Sequence, residues 1–261
     1  MSIDVSETFI DVPGGRVLVR QWNIEESKRA PIFLLHDSLG SVDQWREFPA
    51  ELARATERNV IAYDRLGFGR SSVRLERPSV RFIHEEAEIY FPALVRGLGI
   101  DRFALFGHSV GGGMAISIAA LHPKQCEAVI SESAQAFLEP HTLDGIRKAN
   151  VMFQDPRRFA RLEKWHGDKA AWVLAAWTEV WQLPEFESWS LDEWLVEVTC
   201  PVLAIHGDLD EFGSVEFPKR IVSKVKGPSQ LAILENCGHV PHRERRSEIL
   251  ALVTSFLESV A

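Results

Sequence analysis

Short apolar runs rich in β-branched and aromatic residues recur along this chain, and each ends in glycine or polar turn residues. Most are nearly continuous, which is typical of strands covered on both faces. Helix-like stretches separate them, among them 43–56, 83–98, 111–121 and 247–260. Strands that alternate with helices predict an α/β fold, with a mostly parallel, roughly eight-stranded sheet flanked by helices. The strand-like runs are 15–22, 31–36, 59–64, 102–109, 127–133, 201–208 and 230–239.

The segment 135–198 breaks this rhythm, because it contains no strand-like run and carries six of the eight tryptophans. We interpret it as a helical cap inserted after the sixth strand, so that residues 1–134 and 199–261 form the core. Large aromatic rings are usually buried structure, and we expect most of these to pack the insertion onto the core. The alternative for one or two of them is that they line an apolar pocket, and the sequence does not say which. The six are Trp165, Trp172, Trp177, Trp181, Trp189 and Trp194.

Charge and composition argue against several classes of partner. The net charge is −8, from 37 acidic and 29 basic residues, so the basic footprint of a nucleic-acid or anionic-lipid binder is missing. The N-terminal "MSIDVSETF" resembles no signal peptide, and no apolar run approaches the roughly 20 residues that span a bilayer. We therefore expect a soluble cytoplasmic protein. Its three cysteines lack CxxC spacing and are interpreted as reduced thiols.

The stretch "FGHSVGGG" sets one serine among glycines, between a strand-like run and a helix of small residues. The spacing Gly107-x-Ser109-x-Gly111 fits a sharp strand-to-helix turn, where a side chain on either glycine would hold the strand and helix apart. Such a turn presents the hydroxyl at the carboxyl edge of the sheet, where ligands bind in open α/β folds. The alternative is a glycine-rich helix start with a capping serine.

A serine needs a base to take its proton and an acid to orient that base. The chain offers both after late strands, in the order Ser, Asp, His. The segment "HGDLDEFG" carries Asp208 and Asp210, and "NCGHVPH" carries His239 and His242. From the residues alone, both aspartates and both histidines are candidates.

These segments together resemble the α/β-hydrolase fold superfamily, over essentially the whole chain. The resemblance implies that Ser109 is the nucleophile and His239 the general base. It selects Asp210 over Asp208, because the acid usually falls third after the glycine of the "HG" that ends this strand. The matching segments are "LLHDSLGS" (34–41), "DRLGFGRSS" (64–72), "GHSVGGG" (107–113), "HGDLDEFG" (206–213) and "CGHVPHRE" (237–244).

The same resemblance implies an oxyanion hole made by the backbone N–H groups of Val110 and Ser38. The superfamily often has His-Gly in the early loop, whereas this chain has His36-Asp37. A carboxylate therefore replaces a glycine beside the expected oxyanion, where it could shift the loop or add negative charge near an anion.

We expect a serine hydrolase that cleaves a small or medium carboxylic ester or lactone through an acyl-enzyme on Ser109. We expect its partner to be a small-molecule substrate, and neither nucleic acid nor a membrane. The sequence does not determine the oligomeric state, and a homodimer is one possibility. The alternatives are a carbon–carbon bond (diketone) hydrolase with the same triad and a non-catalytic protein that binds a small ligand. The pair His239-x-x-His242 has no third ligand at usable spacing, so we expect no metal, and nothing calls for an organic cofactor.

Overall fold

Eight strands form one sheet in the computed structural model, which describes residues 2–260. The strands are β1 (Ile3–Val12), β2 (Gly15–Ile24), β3 (Ile32–Leu35), β4 (Val60–Tyr63), β5 (Phe103–His108), β6 (Cys126–Glu132), β7 (Val202–Gly207) and β8 (Ser229–Leu234). Their order across the sheet is β1-β2-β4-β3-β5-β6-β7-β8. The pairs β1–β2 and β2–β4 are antiparallel, and every pair from β4 to the β8 edge is parallel. The carboxyl ends of six strands therefore meet along one edge.

Helices cover both faces of the sheet. They are α1 (Phe48–Thr56), α2 (Phe82–Glu85), α3 (Phe91–Leu98), α4 (Val110–Leu121), α5 (Pro140–Met152), α6 (Pro156–His166), α7 (Ala170–Thr178), α8 (Asp192–Leu195), α9 (Glu216–Lys224), α10 (Pro241–Glu244) and α11 (Arg246–Ser259). A π-helical turn, Glu86–Tyr90, joins α2 to α3. Short 3-10 turns lie at Val42–Trp45, Gly167–Lys169, Val180–Gln182 and Pro184–Phe186.

The central strands are buried on both faces, which explains their continuous apolar sequence. On β3, Phe33 and Leu35 join a core cluster that includes residues of α3, α4 and α9. The alternate residues Ile32 and Leu34 join a second cluster with α1 and α11. The predicted fold class, a mostly parallel sheet of eight strands flanked by helices, is confirmed.

Strand β1 was absent from the predicted runs. It lies at the edge of the sheet, and most of its residues are exposed. An edge strand with little buried surface needs no continuous apolar run, so its sequence "IDVSETFIDV" carries a weak signal.

The segment 135–198 contains α5 to α8, and its two ends meet at a single antiparallel bridge between Phe137 and Ser190. Aromatic packing organises its second half: the Phe186 ring lies 4.8 Å from Trp181 and 5.2 Å from Trp189. These rings pack against the core cluster beside α4, as the sequence predicted for most of the tryptophans.

Two further observations bear on the cysteines and on membrane spans. The three cysteines are free and buried, and the sulfur atoms of Cys126 and Cys200 lie 3.8 Å apart. Within residues 2–260, no helix has the length and apolar character needed to cross a membrane.

Candidate active site

The turn between β5 and α4 holds Ser109 in a strained backbone conformation, with φ 55° and ψ −126°. Few residues other than glycine adopt positive φ, and such strain clusters at functional sites. The flanking glycines make the turn possible: a Cβ on Gly107 would lie 2.1 Å from the Gly111 carbonyl oxygen. A Cβ on Gly111 would lie 2.2 Å from the carbonyl oxygen of Leu35 on β3.

The Ser109 hydroxyl makes no capping hydrogen bond to α4. The alternative of a merely capping serine is therefore not what the structure shows. Ser109 instead lines a cavity, together with His239 and Ser38. Val110 is the first residue of α4, a position whose backbone N–H has no acceptor inside the helix. The turn thus presents a hydroxyl and a helix N-terminus at one place.

Asp210 and His239 form a direct pair. The Nδ1 atom of His239 lies 2.8 Å from each carboxylate oxygen of Asp210. The backbone N–H of Phe212 donates to the same carboxylate at 2.8 Å. Burial opposes ionisation of Asp210, but the charges of His239 and His206 and these hydrogen bonds outweigh it, so the pKa of Asp210 is lowered. An ionised Asp210 holds the Nδ1–H tautomer of His239 and leaves Nε2 available as a base.

The other two candidates lie elsewhere. Asp208 accepts a hydrogen bond from the backbone N–H of Cys237 at 3.3 Å, and so ties the two loops together. His242 donates from Nδ1 to the buried Glu132 at 2.5 Å, and its ring packs 4.8 Å from that of Trp45. Within residues 2–260, the pair that reaches the Ser109 cavity is His239 with Asp210 behind it. Ser109 and His239 line the same cavity, and hydrogen bonds between catalytic groups often form fully only when substrate binds.

The unusual Asp37 is held by two partners. One of its carboxylate oxygens accepts the backbone N–H of Leu39 at 2.8 Å, and the other lies 3.3 Å from Nδ1 of His108. The opposite nitrogen of His108, Nε2, donates to the backbone carbonyl of His239 at 2.8 Å. The loop that follows β3 is therefore connected through one buried imidazole to the segment that carries His239.

Both members of this ion pair favour their charged forms. Burial works against the His108 cation, but Asp37 and Glu132 outweigh it and raise the pKa of His108. Burial likewise opposes ionisation of Asp37, but the interaction with His108 outweighs it and holds the pKa of Asp37 well below its usual range. The negative charge of Asp37, beside the expected oxyanion, thus faces a histidine whose pKa is raised, and the protonated form of His108 balances it.

His108, Glu132 and His242 also form the one buried group of metal-ligand type found among residues 2–260, with atoms within 4.8 Å of one another. Most of their polar atoms are already engaged: His242 with one oxygen of Glu132, and His108 with Asp37 and the His239 carbonyl. Within residues 2–260, the other oxygen of Glu132, Oε1, is buried without a hydrogen-bond partner. This pattern favours a hydrogen-bonded cluster over a coordinated ion. That the chain needs no metal stays a prediction.

The cavity at Ser109 has a volume of about 170 Å³ and a mostly apolar wall. Of the tryptophans in segment 135–198, Trp177 and Trp181 line it, which the sequence alone did not specify. Phe212 lies beside His239, with ring centroids 4.9 Å apart. The remaining lining residues are Asp37, Leu39, Gln135, Thr142, Ile146, Ala149, Met152 and Phe153.

Most of these lining residues were not anticipated, because a residue in the wall of a cavity carries no motif. Helix α5 supplies four of them, at positions 142, 146, 149 and 152. Their spacing of three and four residues places them on one helical face. That periodicity was the signal available in the sequence.

Known proteins resemble this chain along most of its length. A sequence model of the alpha/beta hydrolase fold family matches residues 30–245. The proline iminopeptidase of Heyndrickxia coagulans is 27% identical, over 98% of this chain and 99% of its own length. The crystal structure of a membrane phospholipase A superposes with a TM-score of 0.79 at 24% identity, covering 98% of this chain and 86% of that one. The enol-lactonase of Burkholderia xenovorans LB400 gives a TM-score of 0.74 at 19% identity, covering 96% of this chain and 100% of that one. On its fold and on the match of the family model, the chain belongs to the α/β-hydrolase fold family.

Proposed function

We propose that this protein is a serine hydrolase that cleaves a small or medium carboxylic ester or lactone. The observation that carries the proposal is the cavity wall shared by Ser109 and His239, in which Asp210 holds His239 at 2.8 Å. A strained serine, a histidine with an acceptor nitrogen and a buried carboxylate behind it are the groups that acyl transfer requires.

In the proposed mechanism, Ser109 Oγ attacks the substrate carbonyl while Nε2 of His239 accepts the hydroxyl proton. The carboxylate of Asp210 stabilises the imidazolium that forms. The backbone N–H groups of Val110 and Ser38 hold the oxyanion, and removal of one such donor typically costs about 3 kcal/mol of transition-state stabilisation. His239 then donates its proton to the leaving alkoxide, and an acyl-enzyme on Ser109 remains.

The second half of the reaction uses the same groups. His239 removes a proton from water, which attacks the acyl carbonyl, and collapse of the second tetrahedral intermediate releases the acid and restores Ser109. We assign Asp37 and His108 a positioning role, because together they connect the Ser38 loop to the His239 backbone.

The segment 135–198 acts, in this proposal, as the cap that the sequence predicted. Its helices α5 and α7 supply apolar side chains, including Ile146 and Trp177, to the cavity that holds Ser109. A cap of this kind excludes water from the reacting carbonyl and sets the shape of the acyl group that fits.

The size and polarity of the cavity suggest the acyl group. A cavity of roughly 150 Å³ lined by apolar side chains can hold a benzene molecule. The 170 Å³ at Ser109 therefore suits a short aliphatic acyl chain or an aromatic acid. Because its wall is mostly apolar, a neutral acyl group is favoured over a charged one.

Cleavage of an N-terminal proline is the second candidate, because a relative named proline iminopeptidase aligns with almost the whole chain. The substrate of such an enzyme carries a protonated N-terminal nitrogen, which an anionic group would bind. Among the described lining residues, Asp37 supplies the carboxylate, and it is already paired with His108 and Leu39. This arrangement favours esters over N-terminal peptides.

The test is hydrolysis of p-nitrophenyl esters from acetyl to dodecanoyl, of simple lactones and of proline p-nitroanilide. The variants are Ser109→Ala and His239→Ala. Ser117→Ala is the matched control, because Ser117 lies on α4, the helix that follows Ser109, and its hydroxyl donates to the Gly113 carbonyl at 3.1 Å. We expect ester turnover in the wild type and the control, and its loss in the other two.

Turnover of the proline anilide without ester or lactone turnover would instead establish the second candidate. If none of these substrates is turned over, both candidate functions are wrong. That result would favour the alternatives of a carbon–carbon bond hydrolase or a ligand-binding protein. Turnover that survives Ser109→Ala would contradict the mechanism.

A further inference from the structure

A second cavity of about 200 Å³ adjoins the one at Ser109 and is more open to solvent. The two share Leu39, Met152 and Phe153 in their walls. Helix α6 supplies the other side of this second cavity with Arg158, Arg161, Leu162 and Trp165, and we name it the arginine groove. The groove and the cavity at Ser109 are therefore neighbours with three wall residues in common.

Among residues 2–260, the two arginines of the groove have no acidic partner. Arg158 and Arg161 are three residues apart on α6, a spacing that places both on one face of the helix. The ion pairs among residues 2–260 include Arg157 with Asp155 at 3.6 Å, but neither Arg158 nor Arg161. The recorded side-chain hydrogen bond of Arg158 goes to the thioether sulfur of Met152 at 3.2 Å, and a thioether is a weak acceptor.

A third guanidinium adds to the positive charge nearby. Arg243 donates to the backbone carbonyl of Gln44 at 2.7 Å, and Gln44 lines the groove. The protein as a whole carries a net charge of −8. The two arginines that line the groove therefore carry a charge of the sign opposite to that of the molecule, and they attract anions to the groove.

From this arrangement we propose that the arginine groove binds a carboxylate or phosphate on the leaving group of the substrate. The inference rests on the proposed function: the apolar acyl part occupies the cavity at Ser109, and the alcohol part projects into the groove. Guanidinium groups match the two oxygens of a carboxylate or phosphate in geometry as well as in charge. The leaving alcohol must depart before water attacks the acyl-enzyme, and the open groove gives it a way out.

The test compares two esters with one acyl group. The butyrate ester of 4-hydroxybenzoate has an anionic leaving group, and the butyrate ester of methyl 4-hydroxybenzoate has a neutral one. We define the ratio as kcat/KM for the anionic ester divided by kcat/KM for the neutral ester. It is measured in the wild type, in the double variant Arg158→Gln/Arg161→Gln, and in Arg157→Gln. The last is the matched control, because the Arg157 side chain is 93% exposed and does not line the groove.

We expect the ratio to fall about three- to tenfold in the double variant, the range for loss of two solvent-exposed ion pairs, and to stay unchanged in Arg157→Gln. Added salt should lower the wild-type ratio and leave that of the double variant nearly constant. The inference is wrong if the double variant keeps the wild-type ratio, or if Arg157→Gln lowers it equally.

A binding measurement separates this inference from the proposed function. Calorimetric titration of Ser109→Ala with each ester reports affinity without turnover. We expect the anionic ester to bind more tightly than the neutral ester, and the preference to disappear when Arg158→Gln and Arg161→Gln are added. Equal affinities for the two esters would overturn the inference even if both are hydrolysed. A preference for the anionic ester without hydrolysis would support the groove and contradict the proposed function.

Discussion

A carboxylate oxygen of Asp37 lies 3.3 Å from Nδ1 of the buried His108, whose opposite nitrogen holds the backbone carbonyl of His239. Asp37 lies in the loop after β3, and His108 is the last residue of β5. Their contact explains how the chain accommodates an aspartate where the superfamily often has glycine. The carboxylate faces a histidine whose pKa is raised, and the two residues connect the Ser38 loop to the segment that carries His239.

The raised pKa of His108 predicts a pH-dependent contribution to stability. A histidine whose pKa is higher in the folded protein stabilises it fully below the unfolded value of about 6.5, and the contribution is lost as pH rises through the folded pKa. We predict that His108→Gln, which breaks a buried ion pair, lowers the free energy of unfolding by about 3–5 kcal/mol below that pH. The difference in free energy of unfolding between the wild type and His108→Gln should become smaller at alkaline pH.

Urea unfolding of both proteins across this pH range measures the effect. His122→Gln is the control, because His122 contacts Gln125 and lies outside this network. If the difference in free energy of unfolding between the two proteins is constant with pH, or grows as pH rises, His108 is not held as a cation.

The two aspartates after β7 give a matched pair of variants. Asp210→Asn removes the charge that orients His239, and we expect kcat on the best ester to fall about 10³- to 10⁴-fold. Asp208→Asn should change it by less than about tenfold, because Asp208 holds the Cys237 backbone at 3.3 Å and does not contact His239. Equal losses in the two variants would contradict the assignment of Asp210.

The glycines of α4 predict a contrast in stability. A Cβ on Gly111 would meet the carbonyl oxygens of Leu35 and His36 at 2.2 and 2.8 Å, whereas a Cβ on Gly113 would have its nearest neighbour, Cγ2 of Ile83, at 3.6 Å. We therefore expect Gly111→Ala to destabilise the protein by several kcal/mol. Gly113→Ala should be neutral, or stabilising by up to about 1 kcal/mol, because alanine favours helix. Thermal unfolding compares them, and similar melting temperatures would contradict the close approach of α4 and β3.

The preferred acyl length should follow the volume of the cavity. Ala149 is buried in its wall, so Ala149→Leu fills part of the space. We predict that kcat/KM for the longest ester accepted by the wild type falls about tenfold or more relative to acetate, a typical cost per methylene in a closed pocket. Ala160→Leu on the exposed face of α6 is the control. An unchanged chain-length profile in Ala149→Leu would place the acyl group elsewhere.

Much of the fold follows from local signals in the sequence. The β3 and β5 runs are apolar along their length because helices cover both faces of the sheet. A continuous apolar run is typical of a buried parallel strand, so these two strands could be predicted. Strand β1 carried no comparable signal, because it lies at an exposed edge. The glycines at 107 and 111 marked the turn at Ser109, because their contacts with neighbouring backbone exclude any side chain.

The candidate site was only partly predictable. Ser109, His239 and Asp210 follow strands that end at one edge of the sheet, so their grouping was predicted from strand order and family motifs. The interaction of Asp37 with His108 joins residues 71 positions apart (108 − 37), and no local pattern encodes it. The choice of Trp177 and Trp181 as lining residues depends likewise on how α7 and the turn after it pack, which follows from tertiary contacts.

The central claim is that Ser109 is an activated nucleophile, and covalent labelling with a fluorophosphonate tests it most directly. The reagent forms a bond from Ser109 Oγ to phosphorus with loss of fluoride, and mass spectrometry of the digested protein locates the adduct. We predict stoichiometric labelling of the peptide that contains Ser109, slower labelling in Asp210→Asn and none in Ser109→Ala. Failure of the wild type to label, or labelling that persists in Ser109→Ala, would contradict the account.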